Sequence, residues 1–160
     1  MPTHTYGTFT KALAAGKLEP AYYFLGAENV LKDEATTALL DKVLDPGLRD
    51  FNLDIRSAQQ LEPEDVLSLC TTLPMMADRR VVVVRDVEAW KRKTRGKKAV
   101  LEYLQKPIPE TLLVLVQGAA SDAKDDKPDT DLAKHAYTIA FAELTVEEAT
   151  RWVAREAKSM

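Results

Sequence analysis

The chain has 160 residues, 46% of them apolar and 29% charged, with a formal net charge of −3. This length fits one domain of ordinary size with a real core, and the composition is that of a globular protein. The acidic balance, with a pI near 5.5, argues against a surface built throughout for nucleic acid.

Apolar runs suited to buried strands alternate with segments of helical period. Phe9, Leu13 and Leu18 suggest a short first helix, with Gly16 near its end and Pro20 after it. Ala21 to Leu25 is the first expected strand. Glu28 to Leu44 carries apolar residues at helical spacing until Asp45-Pro46-Gly47 stops it. Phe51, Leu53 and Ile55 alternate as a second strand. A short helix follows Glu62-Pro63-Glu64-Asp65, with proline in its first turn. Its Cys70, the single cysteine, has no disulfide partner and reads as a small buried hydrophobe.

Val81 to Val84 is wholly apolar and β-branched, as a central parallel strand covered on both faces requires. Glu88 to Leu104 reads as a long helix loosened around Thr94-Arg95-Gly96. Leu112 to Val116 and Tyr137 to Phe141 are the fourth and fifth strands. Ser121 to Thr130 is polar and reads as an exposed, mobile loop. Thr145 and Glu148 form a capping box for a last helix that is still amphipathic at Met160, which suggests that the natural protein continues. Strands separated by helices in this order indicate an α/β fold with a doubly wound parallel sheet of five strands. Met1 to Gly16 does not resemble a signal peptide, and no apolar run approaches the roughly 20 residues that span a bilayer. A cytoplasmic chain without a membrane partner is therefore expected.

The most informative motif is Gly26-Ala27-Glu28-Asn29-Val30-Leu31-Lys32-Asp33, between the first strand and the first long helix. A phosphate-binding P-loop belongs there, and it needs Gly-x-x-x-x-Gly-Lys-Ser/Thr. Its glycines let backbone N–H groups wrap the phosphates, and its hydroxyl binds magnesium. Here Leu31 stands at the second glycine position and Asp33 at the hydroxyl position; only Lys32 survives. A Walker-B strand ends in an acid directly after its apolar run, whereas Val84 is followed by Arg85 and then Asp86. Both nucleotide motifs fail, so no cofactor and no catalytic residue is expected. His4 and His135 have no ligand partner at metal spacing, and no Gly-x-Ser-x-Gly elbow occurs. Asp86 fits the middle acid of a phosphoryl-acceptor site, but the lysine that such a site needs after the fifth strand is missing.

Two surface candidates remain. The basic run Lys91, Arg92, Lys93, Arg95, Lys97 and Lys98 stands out in an acidic chain. It suits either DNA phosphates, with strong salt dependence, or a solvated helix face. In Leu73-Pro74-Met75-Met76, Pro74 forces Leu73 out of helical conformation, so the methionines begin a loop. Adjacent thioethers suit a partner's groove; core filling beneath the sheet edge is the alternative.

Taken together, these residues resemble the N-terminal domain of the delta subunits of bacterial DNA polymerase III clamp loaders. The pieces that carry the resemblance are Tyr23-Phe24-Leu25-Gly26-Ala27-Glu28, Phe51-Asn52-Leu53, Leu73 through Asp86, Pro107 through Pro109, Leu112 to Val116, and Arg151-Trp152-Val153. The resemblance implies an AAA+/RecA-like fold without a functional P-loop over residues 1–145, with residues 146–160 beginning a helix toward a lid domain. It implies binding of the ring-shaped β sliding clamp and help in opening it for loading onto primed DNA. It implies partnership with motor ATPase and delta-prime subunits, with DNA met through the complex. ATP would act in the partner subunits, although the holoenzyme is a DNA-directed DNA polymerase. The implied clamp contact is an apolar pair after the short helix, which falls on Met75 and Met76 beside Leu73 and Pro74. This chain departs from the family pattern there, because neither methionine carries the rigid ring usual in the pair.

Overall fold

The four valines Val81 to Val84 are completely buried, and in the computed structural model they form the middle of an inner strand. The structure describes residues 3–26, 28–91, 93–118 and 128–141. Within them the elements run β1 (Thr3–Thr5), α1 (Tyr6–Ala14), β2 (Ala21–Leu25), α2 (Asn29–Val43), α3 (Arg49–Asn52), β3 (Leu53–Ser57) and α4 (Pro63–Thr71). They continue with β4 (Arg80–Arg85), α5 (Thr94–Gln105), β5 (Thr111–Val116), α6 (Thr130–His135) and β6 (Tyr137–Ala140). Short 3₁₀ turns cover Pro46–Leu48 and Val87–Trp90.

The sheet order is β1-β6-β2-β5-β4-β3, and every pair is parallel. Parallel strands bury both faces, so alternate residues supply two cores. Val81, Val83, Leu112, Val114, Tyr22, Phe24 and Ile139 meet α1 and α2 on one face. Val82, Val84, Leu113, Leu115 and Tyr23 meet α4, α5 and α6 on the other.

The doubly wound α/β reading holds, with one strand more than expected among the described residues. Thr3–Thr5 adds a sixth strand at the β6 edge. It is three residues long and carries no apolar alternation, so only backbone pairing and a stack of His4 on Tyr137, centroids 4.0 Å apart, mark it. Phe51 does not open the second strand; it lies in the single turn of α3, and the strand begins at Leu53. The long helix expected from Glu88 is divided. Asp86 takes a left-handed backbone (φ 60°), Val87–Trp90 is a 3₁₀ turn, and α5 starts only at Thr94. Trp90 causes the division: it is fully buried and its indole N–H donates to the Leu61 carbonyl at 3.0 Å. Gly96, read as a loosening residue, instead lets α5 cross α4 closely. A Cβ there would lie 2.4 Å from Glu64 Oε1 and 3.1 Å from Pro63 Cγ.

Thr130, placed at the end of the polar loop, opens α6, whose first N–H groups at Asp131 and Leu132 donate to Asp129 Oδ1. The rest of that loop (121–127), the Thr145–Glu148 capping box and the whole segment 146–160 lie outside the described residues. No described helix is long and apolar enough to cross a membrane.

Burial sets the alkaline behaviour of this core. It pushes the Cys70 thiol up from 9.0 to about 12, and the Tyr22 and Tyr23 hydroxyls from 10.0 to about 12. Each group is held neutral in the fold, while the unfolded chain releases the same protons earlier. Their stabilisation is complete below the unfolded values and is lost as pH rises from about 9 toward 12. A thermal melting series is expected to be level between about pH 7 and 8.5 and to fall steadily above it; a level midpoint above that range would contradict the assignment.

Candidate functional site

Two places in the fold carry the features singled out in the sequence, and they lie at opposite ends of the sheet. The Gly26–Asp33 loop sits at the C-terminal ends of the strands, and Leu73–Met76 precedes β4 at the other end. β4 itself has six residues, so about 20 Å of strand separates them.

At the C-terminal end, Gly26 has φ +113°, and a Cβ there would sit 2.2 Å from the Phe141 carbonyl oxygen. Glycine is required because the Phe141 backbone runs directly against it: Phe141 N–H donates to the Leu25 carbonyl and Glu28 N–H to that of Phe141. Lys32 is 1% exposed. Its ammonium group donates to the Gly26 carbonyl at 2.8 Å and to the Gln117 carbonyl at 2.5 Å. The side chain folds back onto its own loop and the end of β5. Leu31 points into the core while Asp33 is exposed. Beside the loop is an open cleft lined by Asn29, Lys32, Asp33, Arg85, Asp86 and Glu88. Two of its acids, Asp86 and Glu88, are engaged within the chain. Ser57 Oγ donates to Asp86 Oδ2 at 2.9 Å, and Gly118 N–H donates to Glu88 Oε2 at 3.0 Å. Among the described residues no cluster of His, Cys, Asp or Glu fits a metal ion.

Lys32 also anchors a buried polar chain. Tyr23 donates its hydroxyl hydrogen to Gln117 Oε1 and accepts from the Asp129 N–H at 2.9 Å. The Asp129 carboxylate pairs with Lys97 at 2.9 Å, with their side chains 10% and 12% exposed. The expected basic segment is thereby divided. Lys97 faces inward onto α6, and Lys93 pairs with Glu62 at 2.8 Å on the surface. Arg95 and Lys98 are exposed, Lys91 is half-buried, and Arg92 lies outside the described residues.

At the opposite end, α4 stops at Thr71 and its last carbonyls are met by side chains. Arg80 Nε donates to Leu69 and Thr111 Oγ1 to Cys70, at 3.1 and 2.7 Å. Thr72 Oγ1 donates to Ser68 at 2.9 Å. These bonds supply partners that a helix end otherwise lacks. Arg80 pairs in turn with Asp54 on β3. The loop between is fixed at both feet and apolar at its crest: Leu73, Met75 and Met76 are 71%, 57% and 86% exposed, with Pro74 half-buried. Met76 has φ 57°, a left-handed conformation uncommon outside glycine, asparagine and aspartate. Phe51 is exposed on α3, and the buried Asn52 beside it bonds the Met75 backbone. Residue type gave no hint of the Asn52 contact; the only available signal was an amide placed directly before a strand.

A family model described as DNA polymerase III, delta subunit, matches residues 22–142. The chain belongs to this family. The DNA polymerase III subunit delta of Bacillus subtilis (strain 168) is 29% identical over 155 residues, which are 93% of this chain and 45% of that protein. The solved structure of the Bacillus subtilis DNA clamp loader delta protein superposes with a TM-score of 0.78 at 26% identity, covering 97% of this chain and 48% of that one. The chain thus spans about half the length of these relatives. A gamma subunit-related protein and a mutant RuvB, both from Thermotoga maritima, match at TM-scores of 0.62 and 0.57 with 14% and 15% identity; they share the fold alone. The sheet is accordingly of the AAA+/RecA-like class.

The Lys32 contacts give a stability prediction. Lys32→Met keeps the stem's volume and leaves two carbonyls without their donor, so it is expected to cost about 1–3 kcal/mol in urea unfolding. An unchanged unfolding midpoint would show that the ammonium group does not brace the loop.

Proposed function

We propose that this chain is the clamp-binding domain of a clamp-loader delta subunit. It grips the β sliding clamp through Leu73, Pro74, Met75 and Met76 and helps open the ring for loading onto primed DNA during replication. The observation that carries the reading is the loop itself. Three large apolar side chains stand exposed on a backbone whose ends are tied into α4, β3 and β5. This is the opposite of core filling, and it suits insertion into an apolar pocket on a protein partner.

Burying each methionine contributes about 1.5–3 kcal/mol before ordering costs. Two such anchors make a hot spot but do not by themselves break a large ring interface. Opening therefore follows from tighter binding to an open or strained clamp, a shift of population. Motor ATPase and delta-prime subunits are the expected companions, in the cytoplasm.

The domain works without nucleotide of its own. The residues do not fit a magnesium triphosphate: Lys32 is spent on carbonyls, Asp33 replaces the hydroxyl, and Asp86 and Glu88 add negative charge to the cleft. Direct DNA binding through the basic segment has less support, because Lys93 and Lys97 already have acidic partners and Lys91 is half-buried.

Replacing Met75 and Met76 together by alanine is expected to weaken binding to the clamp of the same organism about a hundredfold, measured by surface plasmon resonance. Undiminished affinity would remove these residues from the contact. Calorimetric titration of the chain with magnesium ATP is expected to give no binding heat; saturable heat would overturn the nucleotide-free reading.

A further inference from the structure

Asn52 is the last residue of α3 and is fully buried, although its neighbour Phe51 is 59% exposed. A buried primary amide is costly unless its donors and acceptor are engaged. Here they are. Nδ2 donates to the carbonyls of Leu48 and Met75 at 3.0 and 2.9 Å, and Oδ1 accepts from the Met75 N–H at 2.6 Å. The Leu48 bond belongs to the turn of α3 itself. The other two reach a residue 23 positions further along the chain. One side chain meets both backbone polar groups of Met75, as an adjacent strand would. The Met75 side chain remains 57% exposed, and Met76 follows with its left-handed backbone.

We infer that Asn52 is a positioning residue for the Met75–Met76 tip. It fixes the Met75 backbone from a separate element and leaves both thioether side chains free. A tip ordered in advance loses less entropy when a partner protein closes on it. The functional meaning of this role rests on the clamp-binding reading above; the geometry rests only on the hydrogen bonds.

The test combines local hydrogen exchange with a binding cycle on the full chain. In Asn52→Ala, the Met75 amide is expected to exchange about tenfold or more faster while the amides of Val81 to Val84 keep their protection. Clamp affinity is expected to fall about tenfold. Introduced into the chain already carrying Met75→Ala and Met76→Ala, the same change is expected to cost nothing further, because Asn52 acts only through the tip. A purely structural asparagine would give additive losses, and additivity would overturn the proposal, as would unaltered exchange at Met75. Should the alanine variant fail to fold, Asn52→Asp keeps the acceptor and removes the donors, and the same cycle is read with it. If the unsubstituted chain does not bind the clamp, the proposed function falls, and exchange at Met75 alone decides the positioning role.

Discussion

An ammonium group buried at the C-terminal end of the sheet holds two strand ends together. Lys32 Nζ reaches the carbonyl of Gly26, just past β2, and that of Gln117, just past β5. β2 and β5 are neighbouring inner strands, so the point where they are tied controls where α2 leaves the sheet. A charge taken out of water is tolerated only when oxygen atoms surround it, and here the loop's own backbone provides them. The Gln117–Tyr23–Asp129–Lys97 chain extends the arrangement to α6 and α5. In a catalytic loop, these carbonyls would have to leave the lysine free for a ligand. This loop has become a fastening.

That fastening and the apolar tip share a sheet but not an end of it. The exposed apolar side chains stand at the N-terminal side, away from the Lys32 contacts. The tip is built accordingly, with side-chain bonds closing α4, an ion pair to β3 and an amide from α3, all converging on one short loop. Each bond lowers the freedom of the backbone while leaving the thioethers in solvent. Such a loop is neither a core segment nor a flexible linker.

Much of the fold was legible in the sequence because buried parallel strands advertise themselves. Val81 to Val84 and Leu112 to Val116 have no polar residue to confuse the period. The misses have physical causes. β1 is an edge strand whose outer side makes no demand on sequence, and α6 is too short for helical periodicity to register. The division of the long helix turned on Trp90, whose indole satisfies a carbonyl far away in the chain. At the site, the loop at the methionines followed from Pro74, a local rule, whereas their exposure, against core filling, was settled only by the fold. The roles of Lys32, Lys97 and Asn52 did not follow, since a long side chain's partner depends on which distant backbone the fold brings beside it.

The left-handed backbone of Met76 narrows what evolution can place at the crest of the loop. A β-branched side chain is strongly disfavoured at a positive φ of this size, so valine and isoleucine are closed to the position despite being apolar. Glycine, asparagine and aspartate tolerate this backbone best but bring no apolar reach, and bulky rings meet the same steric objection as the branched chains. An unbranched, pliant side chain such as methionine is therefore the compromise that keeps the crest apolar on this main chain.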